Sequence, residues 1–127
     1  MRKSNDIETG LQARLEADGY HASAHSVPAA IGANLPHVHV TRTGGYTMDM
    51  VVEYNIVDFD CYAQDPADAM TVASDLCAWV RDLGASTVGS YCYASEVTTI
   101  PYGNPDPRHP TIGRATFKAQ ILTRIKE

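Results

Sequence analysis

Apolar and polar positions along the chain change period several times, and each change predicts a new element. Ile7, Leu11 and Leu15 recur four residues apart, which predicts a first helix over Asp6–Ala17. Gly10 lies within this helix and weakens it by roughly 1 kcal/mol relative to alanine. Because the apolar stripe is narrow, we expect the helix to pack lightly, at the rim of the fold or on a neighbouring subunit.

Alternation with a period of two predicts two strands in the first half of the chain, His37–Thr43 and Asn55–Tyr62. Tyr20–Pro36 has neither period, so we expect a loop with a short extended piece near His25–Val27. Tyr46–Tyr54 is too long and too apolar for an ordinary hairpin turn. Either the flanking strands extend into this segment, or it is a projecting loop.

The second half begins with the clearest helix signal in the chain. Asp65 is a good N-cap, Pro66 suits the first helical position, and Gly84 marks the end. Between them, apolar residues recur at three- and four-residue spacing over about 18 residues, which predicts an amphipathic helix.

Two more strands are predicted after this helix, at Ser90–Ile100 and Thr111–Lys126, separated by a proline-rich loop over Pro101–Pro110. The expected order is helix-strand-strand-helix-strand-strand. This order predicts an α+β fold, with a mainly antiparallel sheet whose apolar face is covered by the helices. We expect one domain over residues 1–127.

Composition is that of an ordinary folded domain, with 44% apolar and 20% charged residues, but the net charge of -5 is unevenly distributed. Between Gly44 and Pro107 there are ten acidic residues and one basic residue, Arg81; from Arg108 onward five basic residues stand against one acidic residue. The acidic middle argues against a phosphate-binding surface there. We interpret the cations that alternate along the last strand as solvated or paired.

Neither the N-terminus nor the cysteines indicate export, and no segment indicates membrane insertion. Met1–Ser4 leads into polar residues, so we expect no signal peptide, and no apolar run approaches the roughly 20 residues of a membrane helix. Three cysteines, Cys61, Cys77 and Cys92, lie in apolar segments. An odd and sparse set does not describe a disulfide framework, so we expect buried thiols, with Cys92 the least buried.

No catalytic, metal or cofactor site is predicted. His37 and His39 share one face of a strand, but zinc needs three or four ligands, so we interpret them as exposed or hydrogen-bonded histidines. Asp58 and Asp60 are interpreted as a solvated outer face or a subunit contact. Glycine-rich phosphate loops and nucleophile motifs are absent from the sequence. The chain is therefore expected to act through its surface.

Several segments, taken in order, resemble the tail terminator proteins of long-tailed phages, especially those of actinobacterial hosts. Leu35–Gly45 is similar to the family's small-Pro-x-Val-x-Val-x-Arg-x-Gly-Gly opening. The other similar segments are Val57–Ala63, the alanine-rich helix Ala67–Val80, Ile100–Tyr102, Arg114–Phe117 and Leu122–Arg124. The resemblance covers Leu35 to Lys126, roughly three-quarters of the chain. It departs at Cys61, where the family has aliphatic residues, and in the more apolar Tyr46–Tyr54.

The resemblance implies a virion structural protein located at the neck-proximal end of the tail and assembled in the host cytoplasm. Such proteins form a ring, commonly a hexamer, that ends polymerisation of the tail tube protein and joins the tail to the head-neck connector. DNA passes through the lumen without specific binding. Another neck or tail-completion protein is the first alternative, and a small ligand-binding or enzymatic domain is the second.

Two surfaces are predicted to make the contacts of this ring. A head-to-tail ring needs two different patches, and an acidic middle with a basic last strand provides opposite signs. We expect Arg114, Lys118 and Arg124 to meet Asp58 and Asp60 of the next subunit. A second predicted contact is an apolar loop that docks on the tube or on a neighbour; it consists of Tyr46, Met48, Met50, Val51 and Val52.

Overall fold

The chain runs through two helices and six strands in the computed structural model, which describes residues 3–125. Their order is α1 (Ile7–Ala17), β1 (His21–Ala24), a 3-10 turn (Ile31–Ala33), β2 (His37–Met48), β3 (Val52–Ala63), α2 (Pro66–Arg81), β4 (Ser86–Thr87), β5 (Tyr91–Gly103) and β6 (Gly113–Arg124). The strands form one curled sheet in the order β1-β2-β3-β6-β5-β4.

The predicted fold class is wrong. Strands make up 46% of the structure, and the sheet is mixed, because β1 pairs in parallel with β2 while the other neighbours pair antiparallel. The predicted order omitted β1 and β4. β1 reads His-Ala-Ser-Ala and lacks the large β-branched and aromatic residues that identify a strand, and it falls in the stretch predicted to be loop. β4 has only two residues.

Both helices pack on the same face of the sheet, here called the inner face. Asp65 caps α2 by accepting a hydrogen bond from the Asp68 amide at 2.8 Å, as its sequence predicted. The core beneath the helices includes Phe59 and Phe117, whose rings stack with centroids 4.9 Å apart across β3 and β6. Alternate residues of each strand therefore point away from the helices, towards an outer face.

Helix α1 does not lie lightly at the rim. Ile7, Leu11 and Leu15 are all fully buried in the core. Gly10 allows α1 to pack directly against the backbone at Val88. A Cβ at this position would lie 2.5 Å from the Val88 carbonyl carbon. The glycine that weakens the isolated helix is thus a requirement of its packing.

The strands are longer than their sequence patterns indicated. β2 and β3 continue to a turn at Asp49–Val51, so most of the Tyr46–Tyr54 segment is the end of a β-hairpin. β5 continues through Pro101 to Gly103, where a loop was expected. β6 begins at Gly113, and the predicted end of that strand at Lys126 lies outside the described residues. Within residues 3–125 no helix has the length and apolar character needed to cross a membrane.

Candidate functional site on the outer face of the sheet

The outer face of the sheet has three zones, set by the strand register. Nearest the β2–β3 turn is an apolar zone, here called the hairpin-end patch; its members are Tyr46, Met48, Val52, Tyr54, Ile56 and Leu122. The middle zone carries Asp58, Asp60, Thr116 and Lys118. The far end is covered by residues 104–112, the loop between β5 and β6.

The hairpin-end patch is open although it is apolar. The rings of Tyr46 and Tyr54 stack with centroids 4.6 Å apart and planes 7° apart, and Tyr46 is still 57% exposed. Met48 and Ile56 are each 40% exposed on the same face. At the turn beyond them, Met50 is 70% exposed and adopts a positive φ of 60°, a conformation that few non-glycine residues take. Contiguous exposed apolar side chains of this kind commonly mark a contact surface.

All five residues of the predicted apolar loop lie at this hairpin end, so the structure brings them together. Met48 and Val52 are cross-strand partners at the last pair of the hairpin, and Met50 and Val51 lie in the turn. Tyr54, Ile56 and Leu122 were missed by the sequence reasoning. Tyr54 and Ile56 alternate with the buried Glu53, Asn55 and Val57, and this period of two is the signal that could have found them.

The middle zone pairs Asp58 with Lys118 within one chain. Lys118 donates to both carboxylate oxygens of Asp58, at 3.0 and 3.1 Å, because the two residues are direct cross-strand partners. The Asp58 hydrogen bond is the largest influence on the Lys118 ammonium and raises its pKa. Asp60 accepts a hydrogen bond from the Thr116 hydroxyl at 2.7 Å.

Arg114, the first of the predicted interface cations, is held by the loop at the far end. Its guanidinium lies 3.5 Å from the Asp106 carboxylate and donates to the carbonyl of Asn104. Pairing of Lys118 or Arg114 with a neighbouring subunit would therefore compete with contacts that already exist. Arg124 differs, since its side chain is exposed. It is the cross-strand partner of Val52, at the edge of the hairpin-end patch.

Asp106 helps to hold the β5–β6 loop against the sheet, together with the contacts of Asn104 to Arg114 and Thr116. It is 3% exposed and accepts hydrogen bonds from the Tyr62 hydroxyl at 2.9 Å and from the Arg108 amide at 3.0 Å. Burial alone would raise the pKa of this carboxyl, but the hydrogen bonds and the nearby Arg114 and Arg108 lower it on balance. Sequence reasoning missed Asp106, because a proline-rich loop gives no sign of a buried carboxylate.

Beside this loop, two histidines share one serine. His37 Nε2 and His39 Nδ1 lie 2.8 and 2.7 Å from the Ser23 hydroxyl oxygen, which joins β1 to β2 on the outer face. Burial, helped by His39 and His21, lowers the pKa of His37 to about 4; burial also lowers the pKa of His39. The pair is therefore neutral near pH 7 and links β2 to β1 through buried hydrogen bonds.

The three cysteines are buried and form no disulfide. Burial raises the pKa of each thiol, which makes these groups poor nucleophiles. Cys92 is fully buried, so the expectation that it is the least buried of the three is wrong. Among residues 3–125 no group of three or more His, Cys, Asp or Glu side chains is arranged to hold a metal ion.

No protein-family profile matches this chain, and no curated protein is significantly similar to it.

Proposed function

We propose that this chain is a structural subunit that forms a ring on the end of a phage tail tube, ends growth of the tube and joins the tail to the head-neck connector. The observation that carries the proposal is the hairpin-end patch. Its apolar side chains are contiguous on an open sheet face, with Tyr46 and Ile56 well exposed. A monomer gains nothing from such a surface, whereas a subunit contact buries it.

The resemblance to tail terminators supports the same proposal through its position in the fold. The similar segments in Leu35–Gly45, Val57–Ala63, Arg114–Phe117 and Leu122–Arg124 fall on β2, β3 and β6, which are neighbours in the centre of the sheet. The segments thus describe one connected part of the molecule. Of the hairpin-end patch only Leu122 belongs to them, and the other members lie in Tyr46–Ile56, between two similar segments.

The distribution of charge indicates which part of the outer face makes the proposed contact. The middle zone pairs Asp58 with Lys118 internally, so its net charge is that of the single carboxylate Asp60. Arg124 at the rim of the patch is the exposed cation of the last strand. We therefore assign the main contact with the tube or neighbouring subunit to the apolar patch, with Arg124 as a charged rim. DNA would pass through the ring without specific binding.

Electron microscopy of tails tests this function directly. In the phage that encodes the chain, interruption of its gene should yield tubes of unregulated length that fail to join heads. Complementation with the wild-type chain should restore uniform tails. Tails of normal length in its absence would refute the proposal, and rings bound to the portal side would favour a neck protein instead.

The patch is tested by a double variant, Tyr46→Ser with Ile56→Ser. Both side chains are exposed, so folding should be preserved, as measured by circular dichroism and urea unfolding. Tube capping should be lost. The matched control is Tyr102→Ser, which removes an exposed tyrosine from β5 outside the patch and should cap normally. Equal capping by the folded double variant and the control would show that the patch is not the contact.

A further inference from the structure

Both long edges of the sheet are open over part of their length. On its side away from β3, β2 pairs with β1 only through His37–Val40, and none of the six strands of the described chain covers Thr41–Met48 on that side. Within this stretch the Arg42 amide donates to the Glu8 carboxylate of α1 at 3.2 Å, a contact that an added strand would have to replace. At the opposite edge, β4 pairs only with Tyr91 and Cys92, which leaves β5 uncovered from Ala94 to Gly103. Open strand edges carry free backbone hydrogen-bonding groups that pair readily with another strand.

The two open edges run in opposite directions. Three antiparallel pairings separate them, namely β2 with β3, β3 with β6, and β6 with β5. A second copy placed beside the first in the same orientation therefore brings β5 of one copy next to β2 of the other in antiparallel alignment. The helices of both copies then lie on the same side of one continuous sheet.

The register also aligns the uncovered stretches. Gly44 lies in one row across the sheet with Ile56, Gln120 and Glu96, and Tyr46 lies in a row that ends at Ala94. Without an axial shift, residues 41–46 of β2 face residues 94–99 of β5. Neither stretch contains proline or lysine, residues that commonly protect sheet edges. Each contains one register irregularity, so the pairing is short.

We propose that copies of this chain join head to tail by pairing residues 41–46 of β2 with residues 94–99 of β5 in the next copy. This inference deepens the proposed ring function and rests on it for closure into a ring. The outer-face side chains fit the arrangement. One ring face of Tyr46 stacks on Tyr54, and the small Ala94 of the next copy would lie beside Tyr46 on its other side. The row of apolar side chains Tyr46, Tyr54 and Leu122 would thus continue into Ala94 of the next subunit.

Disulfide trapping tests the pairing in the full chain. Gly44→Cys adds a side chain where an added Cβ meets nothing within 4 Å, and Glu96→Cys replaces an exposed residue in the same row. Within one chain these positions are three strands apart, about 14 Å, which is beyond the roughly 7 Å Cα separation that a disulfide spans. The three native cysteines are buried. A bond between the new cysteines must therefore join two copies.

Oxidation of the double variant should give a ladder of dimers, trimers and higher species on a non-reducing gel, reversed by reductant. Each single variant should give at most a trace of dimer. The matched control is Gly44→Cys with Gln120→Cys, whose second cysteine lies in the same row but on the central strand β6. Replacing Glu96→Cys by Ala94→Cys or Thr98→Cys, with Gly44→Cys retained, tests for an axial shift between copies.

The outcomes separate the inference from the proposed function. Strong dimers from either single variant would show a twofold pairing of like edges and overturn the head-to-tail arrangement. Absence of a ladder above the Gln120→Cys control at all three β5 positions would also overturn it, even if micrographs show capped tubes. A ladder from a chain that fails to cap tubes would leave the edge pairing standing and refute the tail function.

Discussion

Lowering the pH from 7 to 5 should destabilise this protein through the buried His37. The side chain is 5% exposed, and its pKa in the folded state is lowered to about 4 from an ordinary 6.5. Below pH 6.5 the unfolded chain takes up a proton at this position, while the folded chain resists protonation until the pH nears 4. Stability is therefore fully present above the ordinary pKa and is lost as the pH falls towards the folded pKa.

The magnitude follows from the two pKa values. For one group with pKa 6.5 unfolded and about 4 folded, the free energy of unfolding falls by about 2 kcal/mol between pH 7 and pH 5. His39 shifts in the same direction and adds to the loss. A domain of this kind has roughly 5–15 kcal/mol of total stability, so the effect is large enough to measure.

Urea unfolding at pH 7, 6 and 5, followed by the fluorescence of the single tryptophan Trp79, supplies the measurement. The variant His37→Gln removes the titrating group and should lose about 2 kcal/mol less than wild type across this range. Equal pH dependence in wild type and His37→Gln, or an NMR titration of His37 with a midpoint near 6.5, would refute the reasoning.

Three further predictions concern packing and thiol reactivity. Gly10→Ala should lower the free energy of unfolding by about 1–3 kcal/mol, since the added methyl group meets the Val88 backbone; greater stability, as helix propensity alone predicts, would contradict the close approach. Phe59→Ala should cost about 3–5 kcal/mol in urea unfolding, because it opens a cavity beside Phe117, and a cost under 1 kcal/mol would place this ring outside the core. A thiol reagent should label no cysteine in the native protein and all three in denaturant, and rapid native labelling would show that one of them is accessible.

Local sequence patterns were sufficient for the elements whose stability depends on near neighbours. The Asp65 cap, Pro66 and a wide apolar stripe predicted α2, and the structure confirms the helix within two residues of its expected end at Leu83. The alternation around Phe59 predicted β3 and the burial of Cys61, and both are confirmed. These signals are local because a helix cap and a pleated strand are specified within a few residues.

Contacts between distant residues escaped the same reasoning. The buried carboxylate of Asp106 meets Tyr62, 44 residues earlier in the chain, and Lys118 meets Asp58, 60 residues earlier. The sequence showed the cations of β6 and the acids of β3 as opposite patches, and it could not show that they face each other within one sheet. Strand order decides this, and strand order is set by the packing of the whole chain.

What the sequence by itself determined is the set of amphipathic segments, together with which face of each central strand enters the core. The tertiary structure alone decided that a short strand of small residues, β1, pairs in parallel with β2, that Gly10 lets α1 into the core, and that apolar residues of β2, β3 and β6 form one exposed patch. The physical reason is the distance along the chain over which each kind of interaction acts. Side-chain periodicity records burial along one element, whereas a patch, a strand edge or a close backbone approach exists only once separate elements are brought together.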